Sequence, residues 1–231
     1  MKNVWIIGIV LAFSMLCMGF AAAEEANETE TVSEFIWNGT WSSPKYTLYI
    51  SQDESEITGA YVPMDLFEYD AGYLEGNLSP DGKTYSGIWT ESGTSTNTLS
   101  SDLMSFTISG NTDPQGPMTE PVHYTSNVTR VGEIVDPENP WTGNYISEWK
   151  KYNITQDGTV IIGINEPLPD VDDNSGVLNG MVSEDGMTFT GTWIEKGGFT
   201  FVMADDGMSL HLTIAKSLEA DAIEEQMTFS R

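Results

Sequence analysis

From Trp37 onward the chain alternates apolar and polar residues in short runs, with turn residues between them and no sustained helical period. Alternation at period two is the mark of a half-buried strand. The first half predicts strands at Asn38–Ser43, Tyr46–Gln52, Glu56–Val62, Gly72–Ser79, Thr84–Glu91, Thr96–Ser101, Met104–Gly110 and His123–Arg130. The second half repeats the order and ends with Gln226–Arg231, before which Ile223–Gln226 admits a helical turn. Asp81-Gly82, Asp157-Gly158, Asp185-Gly186 and Asp206-Gly207 fall between consecutive strands and predict tight hairpins. Strand phase sends Gly39 and Trp41, then Tyr46, Leu48 and Ile50, then Leu74, Gly76 and Leu78, then Tyr85, Gly87 and Trp89 to one face.

The pattern is written twice. Shifted by 104 positions, residues 37–108 align with 141–212 without a gap, and 24 of the 72 pairs are identical. Average composition gives about four or five by chance. The densest match joins Gly72–Glu91 to Gly176–Glu195. A repeat this long predicts tandem domains: copy 1 over 37–130, copy 2 over 141–231, and the acidic, proline-bearing 131–140 as a short stiff linker. Sequential hairpins make a meander, and about eight short strands per copy close most economically into an up-and-down barrel. The expected class is therefore all-β, two tandem small antiparallel meander barrels, with β-sandwiches as the alternative.

Copy 1 opens with Gly39-Thr40-Trp41 and its last strand ends at Arg130; copy 2 opens with Gly143-Asn144-Tyr145 and ends at Arg231. A G-x-W on the first strand with a basic residue closing the last resembles the calycin superfamily of lipocalins, fatty-acid-binding proteins and avidins. The resemblance implies an arginine packed over the aromatic ring at the closed end of each barrel, Arg130 with Trp41 and Arg231 with Tyr145. Physically that is a cation–π contact with the guanidinium also bonding nearby carbonyls.

Charge narrows the partners. Nine Lys+Arg against 35 Asp+Glu give a net charge of -26, which removes nucleic acid, because phosphate binding needs clustered basic residues. The same excess favours a soluble monomer. Lys2, the apolar run Val4–Phe20 and Ala21-Ala22-Ala23 read as a secretory signal peptide over 1–23; uncleaved, the run would be a membrane anchor. The single cysteine, Cys17, lies in that leader, so the mature chain is expected to hold no disulfide. Residues 24–36 read as a disordered acidic spacer. Of five N-x-Ser/Thr sequons, Asn27 falls in the spacer, while Asn38, Asn77, Asn127 and Asn153 fall opposite the inward sets, where a glycan would fit.

The two copies differ most between strands three and four. In copy 1, Met64, Leu66, Phe67 and Tyr69 offer an apolar lip to a ligand or partner, or a plug for the core. In copy 2, Asp170, Asp172 and Asn174 have a D-x-D-x-N spacing that can offer oxygens to calcium, although Ser175 replaces the turn glycine and no glutamate closes the loop. Those features also fit a solvated acidic turn. His123 and His211 lack the company of a zinc site, and no nucleophile elbow, phosphate loop or H-E-x-x-H occurs. Glu91 and Glu195, equivalent acids after the tryptophan, are expected at a strand end on the surface; a catalytic pair would need both in one cleft. The sequence thus points to a secreted or cell-surface binding protein without catalysis or cofactor, holding a small apolar ligand or a surface partner. The alternatives are a structural envelope glycoprotein and a secreted enzyme or hydrolase inhibitor.

Overall fold

The computed structural model describes residues 36–54, 56–64, 71–118, 120–218 and 224–231. The leader, the spacer to residue 35, Asn27 and the loop residues Leu66, Phe67 and Tyr69 lie outside the described residues. The described chain is all-β. Its fourteen strands are β1 Gly39–Ser42, β2 Tyr46–Asp53, β3 Glu56–Pro63, β4 Gly72–Leu78, β5 Thr84–Leu99, β6 Ser105–Thr112, β7 His123–Val131, β8 Gly143–Ile146, β9 Lys150–Asp157, β10 Val160–Pro167, β11 Gly176–Val182, β12 Thr188–Met203, β13 Ser209–Ala215 and β14 Glu224–Ser230. Glu224–Gln226 belong to β14 rather than to a helical turn, because they pair with Thr213–Ala215 of β13. All four Asp-Gly pairs make their turns with glycine in the left-handed region, at φ 70° for Gly82, 59° for Gly158, 75° for Gly186 and 66° for Gly207.

Every strand pairs antiparallel with its sequence neighbour, and β1 meets β14, so the sheet closes on itself. β5 and β12 depart from expectation. Each runs 16 residues without a break, and they pair with each other from Thr84↔Val202 to Thr98↔Thr188. The glycine of Ser92-Gly93-Thr94-Ser95 does not turn the chain. A Cβ on Gly93 would collide with the Trp193 ring and the Asn111 carbonyl, and one on Gly197 would collide with Trp89 and the Ala215 carbonyl. Both glycines let a tryptophan ring lie on the strand, so the chain stays extended where a hairpin is expected.

The β5–β12 ribbon divides the closed sheet into two eight-strand circuits. Lobe 1 consists of β1–β4, the first half of β5, the second half of β12, β13 and β14; lobe 2 consists of the second half of β5, β6–β11 and the first half of β12. Each surrounds its own core. One contains Trp37, Trp41, Leu48, Tyr85, Trp89, Phe199, Phe201 and Phe229; the other contains Phe106, Val128, Trp141, Tyr145, Ile154, Phe189 and Trp193. Both cores therefore draw on both copies, which corrects the division into 37–130 and 141–231. Residues 131–140 connect β7 to β8, neighbours in lobe 2, instead of separating two domains.

The arginine contacts record the exchange. Arg231 lies 4.2 Å from the centre of the Trp41 ring, and Arg130 lies 4.5 Å from that of Tyr145. Both cation–π contacts exist, but each joins the first strand of one copy to the last strand of the other. Arg130 is 5% exposed and also donates to the carbonyls of Leu103 (2.9 Å), Thr142 (2.8 Å) and Pro140. The closed ends otherwise match. Trp37 and Trp141 donate from Nε1 to the Gly82 and Gly186 carbonyls, each at 2.9 Å, and their amides donate to Gln52 and Gln156.

Candidate functional site

The lobes differ at their other ends, where they meet. Glu91 and Glu195, equivalent in the repeat, are directly paired across the ribbon, so the pseudo-twofold axis passes between them. Neither lies at a strand end or on the surface, being 4% and 5% exposed. The long strands carry them through the junction, with their side chains on the same face as Trp89 and Trp193.

In lobe 2 this end is filled. The Lys150 ammonium pairs with Glu195 and lies 3.0 Å from Asp173. Burial works to depress the Lys150 pKa, but the two carboxylates outweigh it and hold the ammonium above the ordinary lysine range. Tyr124 packs edge-on against Trp193 at 6.4 Å, and burial pushes its phenol up. Tyr152 lies buried against Phe106.

Lobe 1 instead keeps a cavity of about 70 Å³. Its walls are Leu48, Leu74, Trp89, Phe199 and Leu212, with Tyr46 and Tyr61 in edge contact at 5.7 Å. Strand register explains the space: Leu48 stands where lobe 2 has Tyr152, and Glu225 where lobe 2 has Tyr124. Glu91 is the buried carboxylate in the wall. It accepts from the Tyr61 hydroxyl at 2.7 Å and the Asn174 amide at 3.3 Å.

Asp172, Asp173 and Asn174 also line the cavity, so the loop between β10 and β11 of copy 2 reaches the site in lobe 1. Its carboxylates face lysines. Asp172 pairs with Lys216 and with Lys45 at 3.4 Å, and the Lys216 bond holds its carboxyl below the usual range. Lys45 in turn bonds Glu225 at 3.0 Å, which raises its ammonium despite partial burial. Asp170 sits at the left-handed corner of the loop, φ 68°. The D-x-D-x-N residues thus diverge into ion pairs and a hydrogen bond, and among the described residues no group of three or more His, Cys, Asp or Glu gathers as for a metal.

Met64 is 57% exposed and accepts a contact from the Thr47 hydroxyl at 3.0 Å. Asn38, Asn77, Asn127 and Asn153 are all exposed. His123 and His211 are exposed and hydrogen-bonded within their hairpins, to Asn111 and Thr228. Glu91 lines the cavity while Glu195 is engaged by Lys150, so the two acids do not share one cleft. Sequence reasoning missed the participation of Tyr46, Tyr61, Phe199 and Lys150. The only signal was their mismatch at equivalent positions of the repeat: Tyr46 against Lys150, Tyr61 against Asn165, Phe199 against Ser95. Comparisons with protein-family models, curated proteins and solved structures find no match to this chain.

Proposed function

We propose that the protein is a non-catalytic binding protein, secreted or held at the cell surface, that accommodates a small, largely apolar molecule in lobe 1. One observation carries the reading: of two lobes built from one repeat, lobe 2 is filled by Tyr124, Tyr152 and Lys150, whereas lobe 1 keeps a cavity walled by aromatic rings. Cavities in close-packed interiors forfeit dispersion energy, and one walled by aromatic rings with a cluster of polar groups on one side, here Glu91, Asn174 and the ion-paired Asp172 and Lys216, has the form of a ligand site. At about 70 Å³ it has room for roughly five waters or for a ligand built on one ring. The leader supports export, and the calycin-like G-x-W with its arginine supports a binding role.

Native mass spectrometry of protein purified from its own source is expected to show an adduct of small mass that the Leu48→Tyr variant lacks. That substitution places the lobe 2 ring in the lobe 1 cavity. A bare mass for both proteins would remove the reading.

A further inference from the structure

Lobe 2 holds a built-in answer to what lobe 1 binds. Position for position, Pro63↔Tyr46 in lobe 1 matches Pro167↔Lys150 in lobe 2, and Glu91 matches Glu195. In lobe 2 the glutamate is met by an ammonium on a flexible aliphatic stem. In lobe 1 the stem is gone, Tyr46 takes its place, and the glutamate forms part of the wall of a cavity.

We propose that the ligand of lobe 1 is a small organic cation, a primary ammonium on a single-ring or short aliphatic body, that docks on Glu91 as Lys150 docks on Glu195. The inference rests on the reading of lobe 1 as a binding site. Glu91 with its Tyr61 and Asn174 donors supplies a charge-assisted acceptor fixed in place. Trp89, Tyr46, Tyr61 and Phe199 line the cavity, where a ring face attracts an organic cation through its quadrupole and the rings together bury its apolar body. A metal ion would need six or more oxygens at short range, whereas among the described residues no group of three or more His, Cys, Asp or Glu gathers as for a metal, and the other charged groups of the wall, Asp172, Asp173, Lys216 and Glu225, are engaged in ion pairs. The net charge of -26 draws cations toward the molecule.

The test is calorimetric titration of the full chain near neutral pH with benzylamine, its neutral isostere benzyl alcohol, and benzoate. Benzylamine is expected to bind at least about tenfold more tightly than benzyl alcohol, and benzoate most weakly. Glu91→Gln should bring the amine close to the alcohol, the amine losing far more affinity than the alcohol. Tyr46→Lys, which grafts the lobe 2 ammonium into lobe 1, should abolish amine binding in a folded protein even where Glu91→Gln does not fold. Alcohol binding that equals amine binding, or amine binding untouched by either variant, overturns the proposal and leaves the binding reading standing. No heat from any probe at about 10 mM, a ceiling suited to a ligand this small, sinks the binding reading itself.

Discussion

Cutting the chain between its two copies tests the interleaved architecture directly. A protease site inserted between Gly132 and Glu133, both exposed just beyond β7, would separate copy 1 from copy 2 after folding. If each copy formed its own barrel, the halves would part. In the structure, copy 2 contributes six buried side chains to the lobe 1 core (Phe199, Phe201, Met203, Leu210, Leu212 and Phe229), and copy 1 contributes four to lobe 2 (Leu99, Phe106, Ile108 and Val128). At about 2 kcal/mol for each of these ten, burial between the copies is worth on the order of 20 kcal/mol. Association costs on the order of 10 kcal/mol. The difference of about 10 kcal/mol exceeds the roughly 8 kcal/mol of a micromolar complex, before the β5–β12 hydrogen bonds are added. Size-exclusion chromatography of the cleaved protein at micromolar concentration should therefore show one species of unchanged size, which separates into two fragments only in denaturant. Two half-size folded species in plain buffer would refute the interleaving and restore one barrel per copy.

Two further substitutions probe the frame. Arg130→Ala removes a buried guanidinium from three carbonyls and a ring, and should cost about 3 kcal/mol in urea unfolding. Arg231→Ala removes an exposed one and should cost about 1 kcal/mol; the reverse order would contradict the burial described. Lys150→Met leaves the buried Glu195 and the half-buried Asp173 without their ammonium and should cost about 3 kcal/mol, lowering the melting temperature by roughly 10 °C. Because the folded Lys150 pKa lies above the unfolded value of 10.5, its contribution is complete below that value and is lost as pH rises through the folded pKa. The gap between wild type and variant should thus stay constant through neutral pH and close only in strong alkali; a gap that closes below about pH 9 would show that Lys150 is not the group responsible.

Much of the frame was legible because turn and pleat chemistry is local. Asp-Gly between alternating runs specifies a hairpin wherever it occurs, and the phase of Tyr85, Gly87 and Trp89 places the ring inside whatever sheet closes around it. The partner of a strand half is not local. Thr96–Leu99 satisfies its period-two pattern equally as a new strand of copy 1 or as a continuation of β5, and only Gly93 distinguishes the two. A glycine that seats a ring and a glycine that turns a chain are written with the same letter. The arginines illustrate the same limit: Arg130 and Arg231 were identifiable as ring-packing residues, but a repeat offers each of them two equivalent rings. Glu91 was legible as a repeated acid, while its burial followed from the unbroken strand.

The pattern of divergence separates frame from site. At the closed ends the copies keep Trp37 and Trp141, Gln52 and Gln156, and Gly82 and Gly186, each making the same hydrogen bond in its lobe. At the junction they keep the tryptophan, the glutamate and the glycine that seats the ring, while the residues at Tyr46 and Lys150, Tyr61 and Asn165, and Phe199 and Ser95 differ in size and charge. Packing alone would tolerate the same tyrosines in both lobes, since lobe 2 shows that they fit. The junction is also where one loop serves both sides: Asp173 holds Lys150 of lobe 2 while Asn174 holds Glu91 of lobe 1. Releasing the lysine removes one anchor of the segment that covers the cavity. Lys150→Met should accordingly weaken benzylamine binding in lobe 1 through the position of Asn174, although Lys150 itself is absent from the cavity wall. Unchanged affinity in that variant would show that Asn174 is held by the rest of its loop.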